Sequence, residues 1–184
     1  MTENQKISAI YSFLALSMRY PEPEWLENDY LARLINLLEN LEWLDDTAGL
    51  KNFKPQDSQA FEDLQVEHTR LFITAAGGVF APPYGSVYLD ESGLLCSKAT
   101  AEVEDFYRRS GFALANKDEA ADHIVNELEF LALLTAHDME DGEKEFLERY
   151  FLPWFGQFHD KVGEAANLPF YPVIVRLISF FTNP

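Results

Sequence analysis

Cysteine is nearly absent from this sequence of 184 residues, which contains only Cys96. A single thiol cannot form an internal disulfide, and it excludes the paired-cysteine ligand sets of structural zinc sites. Long apolar runs are missing too, because the stretch from Val173 to Phe181 is interrupted by Arg176 and Ser179, whereas a membrane span needs about 18 or more uninterrupted apolar residues. The first residues also lack the pattern of a signal peptide. We therefore expect a cytoplasmic protein without stable membrane insertion.

Basic side chains are scarce as well. The chain carries 14 lysines and arginines against 31 aspartates and glutamates, which gives a net charge of −17. Binding to nucleic acid depends on clustered lysine and arginine, so no nucleic acid partner is expected. The same absence speaks against anionic membrane surfaces. An acidic surface attracts cations instead, which favours a basic peptide as the partner.

Sequence signatures of catalysis are also missing. The phosphate-binding loop GxxxxGK[ST], the dinucleotide motif GxGxxG and the zinc motif HExxH do not occur. None of the 4 histidines has a glutamate three residues before it, which excludes the Glu-x-x-His pairs of di-iron bundles. We therefore predict no catalytic residue, no metal and no cofactor. One alternative stays open, a small all-α hydrolase or metal-dependent enzyme that would use Ser86, His123 and Glu127.

Apolar residues are plentiful and recur with the period of a helix. Hydrophobic residues make up 47% of the chain and aromatic residues 14%, enough for the core of one globular domain over residues 1–184. Their spacings of three and four are typical of one face of an α-helix. This pattern predicts an all-α, single-domain helical bundle, with helices from Ile7 to about Tyr20, from Leu26 to about Trp43, from Phe61 to Phe72, from about Val103 to Gly111, from about Asp122, from Phe146 to Val162 with a kink at Pro153, and from about Tyr171 to Phe181.

The segments between these helices contain residues that break helices. Asp45–Ser58, with Gly49 and Pro55, is predicted to be a connection, and Asp138–Glu143 an acidic turn. The longest loop, Ile73–Gly93, lies between the third and fourth major helices and is rich in glycine and proline. Loops longer than about 12 to 15 residues are uncommon in compact domains and are often functional. We therefore expect the functional site at this loop.

Two motifs carry a resemblance to a known family. Leu71-Phe72 precedes the loop, and the loop itself contains Pro-x-Tyr-x-Ser-Val-Tyr at residues 82–88, while Asp122-His123 stands at the start of the predicted fifth helix. In these features the sequence resembles the TorD/DmsD/NarJ family of cytoplasmic redox-enzyme maturation chaperones. His68 occupies a position in which this family commonly has tyrosine, phenylalanine or tryptophan.

The resemblance implies a chaperone for a molybdopterin-containing oxidoreductase. Such a chaperone binds the N-terminal signal of the apo-form catalytic subunit, often a twin-arginine signal, and assists folding, cofactor insertion and proofreading of export. Guanine-nucleotide binding, proposed for some relatives, has no motif in this sequence. A monomer and a dimer that exchanges segments both stay open.

A twin-arginine signal requires carboxylates and a nearby apolar groove. Asp122, Glu127 and Glu67 could supply the carboxylates, although Asp122 could also be a helix N-cap and Glu67 could pair with a nearby arginine. The charge of His123 stays open, because Asp122 favours its protonation and the helix N-terminus opposes it. The predicted binding set consists of Glu67, His68, Leu71, Phe72, Pro82, Pro83, Tyr84, Ser86, Tyr88, Asp122, His123 and Glu127.

Overall fold

The computed structural model describes residues 2–23, 29–53, 57–76, 78–89, 98–114 and 119–183. About 75% of the described residues are helical, and none of them forms a strand, so the predicted all-α class is confirmed. The helices are α1 (Glu3–Ser17), α2 (Tyr30–Asn40), α3 (Leu44–Phe53), α4 (Ser58–His68), α5 (Gly85–Leu89), α6 (Lys98–Arg109), α7 (Ile124–Ala136), α8 (Glu140–Phe146), α9 (Leu152–Ala165) and α10 (Phe170–Thr182), with π-helical turns at Thr69–Ile73 and Leu147–Phe151.

An aromatic core holds these helices together. α1 lies along α7, and α9 packs against α10. Large aromatic side chains bury about 150–250 Å² each, so a few of them dominate the energy of a core. The apolar side chains of the helix predicted from Phe146 to Val162 belong to this core, because Phe146, Phe151, Trp154, Phe155 and Phe158 are buried.

The predicted connection Asp45–Ser58 is wrong in its first half, because α3 occupies Leu44–Phe53. Leu50 is fully buried in this helix. Gly49 costs the helix about 1 kcal/mol relative to alanine, whereas burying a leucine side chain contributes about 1.5–3 kcal/mol. Packing therefore outweighs the weak local preference. Residues 54–56 lie outside the described part of the chain.

The predicted acidic turn Asp138–Glu143 is wrong in a similar way. α8 begins at Glu140, and its first turn contains Glu140, Asp141 and Glu143. Carboxylates in a first turn interact favourably with the positive end of the helix dipole. The acidic cluster thus starts a helix, and Asp138, with a left-handed φ of 55°, and Met139 precede it.

The long helix predicted for Phe146–Val162 changes its type before Pro153. A π-helical turn covers Leu147–Phe151, and α9 begins at Leu152, which places Pro153 in its first turn. Proline is tolerated there because the first N–H groups of a helix need no acceptor within the helix. We find a change of helix type where the sequence predicted a kink.

The long loop contains more structure than predicted. Gly85–Leu89 forms the short helix α5, whereas the described residues 74–76 and 78–84 are not helical. Residues 90–97, which include Cys96, and residues 24–28, where the second helix was predicted to begin, are not among the described residues. Of the helices that are described, none has the length and apolar content needed to cross a bilayer.

Candidate functional site

The loop motif and the start of α7 lie side by side. The N–H of Gly85 donates to the carbonyl of Asp122 at 2.9 Å, and the N–H of Ile124 donates to the carbonyl of Pro83 at 2.9 Å. These reciprocal bonds join two segments that are distant in the sequence. We call this pair of segments the clasp, residues 83–86 and 122–124.

The side chain of Asp122 holds the clasp as well. Its Oδ2 accepts the N–H of Ser86 at 2.7 Å, and the residue is only 1% exposed. The alternative that Asp122 is the N-cap of the fifth helix is therefore wrong, because its carboxylate is turned toward Ser86. His123 takes the N-cap position of α7, where its Nδ1 accepts the N–H of Val125 at 3.3 Å.

Trp154 lies beneath the clasp. Its indole is fully buried, and a Cβ atom built on Gly85 would come within 3.0 Å of the indole Nε1. A side chain at position 85 would force the indole to shift by a few tenths of an ångström, so glycine suits this close approach. The ring of Tyr88 stacks on Trp154 with 5.7 Å between the ring centroids. The loop motif is in this way seated on the aromatic core.

Glu127 is a fully buried carboxyl group on the inner face of α7. Its Oε2 accepts the Nε1–H of Trp154 at 3.1 Å. Burial raises the pKa of Glu127 well above its ordinary value and the charge of Asp122 raises it further, while the bond from Trp154 lowers it. Glu127 Oε1, Asp122 Oδ1 and Ser86 Oγ are buried and have no hydrogen-bond partner among the described residues. These groups form a buried cluster beneath the clasp.

The buried Glu127 predicts a pH dependence of stability. An unfolded glutamate releases its proton near its ordinary pKa of 4.5, whereas the folded side chain keeps it to a higher pH. Between these two pKa values the folded state binds the extra proton, so raising the pH favours unfolding. Glu127→Gln keeps an acceptor for Trp154 and cannot ionise. We expect its stability relative to the unsubstituted chain to increase as the pH rises above about 5, by up to about 1.4 kcal/mol per pH unit while the folded carboxyl group keeps its proton.

Urea unfolding of both proteins across this pH range measures the difference. Glu129→Gln serves as the matched control, because Glu129 lies on the same helix with its side chain 46% exposed. A pH-independent difference for Glu127→Gln would contradict the buried, protonated carboxyl group.

A groove of about 630 Å³ opens beside the clasp. Its walls are formed by the end of α1 and the residues after it, the π-helical turn after α4, the clasp, residues 112–114 and the outer face of α7. Several of its apolar side chains are exposed to solvent: Leu16 (39%), Tyr20 (44%), Ile73 (55%) and Leu133 (41%). Exposed apolar groups gathered on a concave surface are typical of binding sites.

Acidic side chains also line this groove. Glu22, Glu119 and Glu129 face it, and Arg19 is the only lysine or arginine among its described lining residues. The hydroxyl of Tyr84 donates to Glu119 at 2.6 Å, and Arg19 forms an ion pair with Glu129. The excess of negative charge suits a cationic ligand.

The structure brings part of the predicted binding set to the groove. Five of its members line the groove: His68, Phe72, Pro83, Tyr84 and His123. The other seven support the groove from behind or lie elsewhere: Glu67, Leu71, Pro82, Ser86, Tyr88, Asp122 and Glu127. Of the three carboxylates proposed to meet arginines, each is at least 96% buried, since Glu67, Asp122 and Glu127 are 4%, 1% and 0% exposed.

The carboxylate of Glu67 accepts hydrogen bonds from other residues of the chain. Its carboxylate accepts Arg70 Nε at 2.8 Å and Arg70 Nη2 at 3.0 Å. It also accepts the backbone N–H of Asn167 at 2.5 Å. The alternative that Glu67 pairs with Arg70 is therefore confirmed, and this ion pair connects α4 to the segment between α9 and α10.

His68 behaves as an aromatic side chain. It is 6% exposed and meets the rings of Tyr20, Phe72 and Tyr171 edge to face. Burial is the main cause that lowers the pKa of His68 to about 4. The ring is thus neutral at pH 7, and it fills the place of the aromatic residue that is common in the family.

The charge of His123, which the sequence left open, is decided by burial. Burial lowers the pKa of this imidazole, while Glu119 and Asp122 raise it and Arg19 lowers it. The net effect is a lowered pKa, so the neutral ring is favoured and Nδ1 is free to accept the N–H of Val125.

The enzyme alternative finds little support in this geometry. Ser86 and Glu127 are both 0% exposed, so a substrate in solution does not reach them. Among the described residues, no group of three or more His, Cys, Asp or Glu is arranged to hold a metal ion.

Sequence reasoning missed the polar residues of the groove. Glu119 and Glu129 are two of 31 acidic residues, and neither belongs to the motifs that carry the family resemblance. One signal was present for Glu129, because it lies three residues after Asn126 and four before Leu133, on the same face of α7. Both neighbours line the groove with it.

Fold and groove together define an all-α protein with an acidic, aromatic-walled cleft, and comparison with known proteins identifies its family. The profile of the nitrate reductase delta subunit family matches residues 36–160. The chaperone protein TorD of Aliivibrio fischeri is 31% identical over 163 residues, which cover 80% of this chain and 75% of that protein. The Tat proofreading chaperone DmsD of Salmonella typhimurium is 28% identical over 160 residues, with 82% and 76% covered.

A solved structure agrees with these relatives. A crystal structure from Archaeoglobus fulgidus, assigned as a redox enzyme maturation protein, superimposes with a TM-score of 0.65 at 27% identity and covers 100% of this chain and 96% of that one. The chain belongs to the TorD/DmsD/NarJ family of redox enzyme maturation chaperones, which confirms the resemblance seen in its motifs. It is accordingly a chaperone and not an enzyme.

Proposed function

We propose that the groove binds the N-terminal signal of a molybdopterin oxidoreductase catalytic subunit in the cytoplasm. A twin-arginine signal combines two guanidinium groups with an apolar segment. The groove offers the matching surface, since Glu22, Glu119 and Glu129 lie beside the exposed side chains of Leu16 and Leu133. This juxtaposition of carboxylates with exposed apolar groups carries the proposal.

Apolar contact supplies most of the expected affinity. Burying about 400 Å² of apolar signal surface at about 25 cal/mol per Å² contributes about 10 kcal/mol before costs. Ordering a flexible signal removes several kcal/mol, which leaves binding in the micromolar range. Each exposed ion pair adds only about 0–1 kcal/mol, so the carboxylates mainly set the register and speed the encounter.

The proposed role in maturation follows from binding before export. A chaperone that covers the signal while the subunit is still in its apo form delays export until the molybdopterin cofactor has been inserted. The name of the similar DmsD, a Tat proofreading chaperone, supports this order of events.

Calorimetric titration with a panel of synthetic molybdoenzyme signal peptides tests the proposal. We expect at least one peptide to bind with micromolar affinity and its Lys-Lys variant to bind more weakly, because a lysine cannot form the bidentate contacts of a guanidinium. Leu133→Ser should weaken binding about fivefold, since a half-exposed leucine contributes about 1 kcal/mol when a ligand covers it.

Leu44→Ser is the matched control for Leu133→Ser. Leu44 is 69% exposed and does not line the groove, so the same substitution there should leave peptide affinity unchanged. The proposal would be rejected if the folded protein bound no peptide of the panel, or if the two leucine variants had equal effects.

A further inference from the structure

One cation of the chain already lies in the acidic groove. Arg19 follows the end of α1, and its Nη2 donates to Oε1 of Glu129 on α7. The two side chains come from neighbouring elements, the end of α1 and α7, and Arg19 is the only lysine or arginine among the described residues that line the groove. A guanidinium is also the group that a twin-arginine signal would bring to the same carboxylate.

This ion pair is easily opened. The side chains of Arg19 and Glu129 are 53% and 46% exposed, so water screens the pair and solvates both groups when they separate. The bond is made through a single nitrogen and a single oxygen. A bidentate contact from another guanidinium would hold the carboxylate more strongly.

Exchange of one guanidinium for another also leaves the carboxylate of Glu129 with a cationic partner. When Arg19 leaves Glu129, an incoming arginine restores the same ion pair, and Arg19 is already half exposed. By contrast, the interior pair of Glu67 with Arg70 is supported by further bonds from the backbone. Arg19 is therefore the arginine of this region that is free to be displaced.

We propose that Arg19 is an internal competitor, which occupies the carboxylate of Glu129 in the free chaperone and is displaced by an arginine of the bound signal. This inference rests on the proposed function and adds the residue that receives the arginine. The competitor lowers the affinity for every ligand that uses Glu129. Weakly matching cationic peptides are then the first to fall below useful affinity.

A double-mutant cycle with the tightest-binding Arg-Arg peptide of the panel tests the exchange. We expect Arg19→Ala to tighten binding two- to fivefold, the range that corresponds to a half-exposed ion pair. Glu129→Gln should weaken binding, and in the Glu129→Gln background Arg19→Ala should have no effect. A mere change of overall charge would act equally in both backgrounds, and this result would overturn the inference.

Arg149→Ala is the matched control. Arg149 pairs with Glu145 at 2.6 Å, and these side chains are 63% and 41% exposed, but neither residue lines the groove. This variant changes the net charge as Arg19→Ala does and should leave the affinity unchanged. If the unsubstituted chain binds peptide but Arg19→Ala does not tighten binding, the proposed role of Arg19 is wrong and the proposed function stands. If no peptide binds at all, both the proposed function and the proposed role of Arg19 are rejected.

Discussion

Replacing Trp154 with alanine is expected to lower the free energy of unfolding by about 3–5 kcal/mol. The indole is fully buried, it donates to Glu127 at 3.1 Å, and it lies directly under Gly85 of the clasp. Its removal opens a cavity and leaves the buried carboxyl group without its donor. Since domains are stable by only about 5–15 kcal/mol, this is a large part of the total. The midpoint of urea unfolding, followed by circular dichroism, measures the loss.

Two further variants separate the causes of this loss. Trp154→Phe keeps an aromatic ring but removes the N–H and reduces the bicyclic indole to a single ring, so we expect a smaller cost of about 1–3 kcal/mol. Trp43→Ala is the matched control, because Trp43 is only half-buried and contacts Phe180 and Arg176 of α10. An equal loss for Trp43→Ala and Trp154→Ala would mean that the tryptophan beneath the clasp contributes no more to the free energy of unfolding than a half-buried tryptophan.

The helices that the sequence predicted best are those whose apolar period is long and whose packing agrees with it. The last helix was predicted from about Tyr171 to Phe181, and α10 spans Phe170–Thr182. α3 was missed because its ten residues carry few apolar side chains. Leu50 and Thr47 are the residues of this helix that are buried, and their burial is visible only in the folded structure. Such contacts between distant segments leave little trace in a local pattern.

The predicted binding set combined residues of two distant segments, but the directions of their side chains were not predicted. Both the motif around Tyr84 and the start of α7 belong to that set, and these two segments form the clasp. Yet Glu127 faces the core. Its spacing indicated this, since it lies three residues after Ile124 and four before Leu131, both fully buried. For Asp122 no such signal existed, because the turn that aims its carboxylate at Ser86 depends on the tertiary fold.

Asp122→Ala is expected to weaken signal-peptide binding about three- to tenfold and to lower the free energy of unfolding by about 1.5–3 kcal/mol, the contribution of a hydrogen bond to a charged group. The substitution leaves the buried N–H of Ser86 without its acceptor. The two backbone bonds of the clasp persist, so the fold should survive. Pro83 and Tyr84, which line the groove, would then be held less firmly.

Asp122→Asn distinguishes positioning from direct contact with the ligand. The amide oxygen still accepts the N–H of Ser86, whereas the negative charge is gone. If Asp122 holds the clasp from within, as its 1% exposure indicates, the asparagine variant should regain most of the stability and peptide affinity that alanine loses. If Asp122 contacted the arginines of the signal, both variants would bind equally poorly, and the salt dependence of binding would fall in both. Peptide titration and urea unfolding of the two variants, at low and moderate salt, therefore decide whether this carboxylate supports the groove or belongs to its surface.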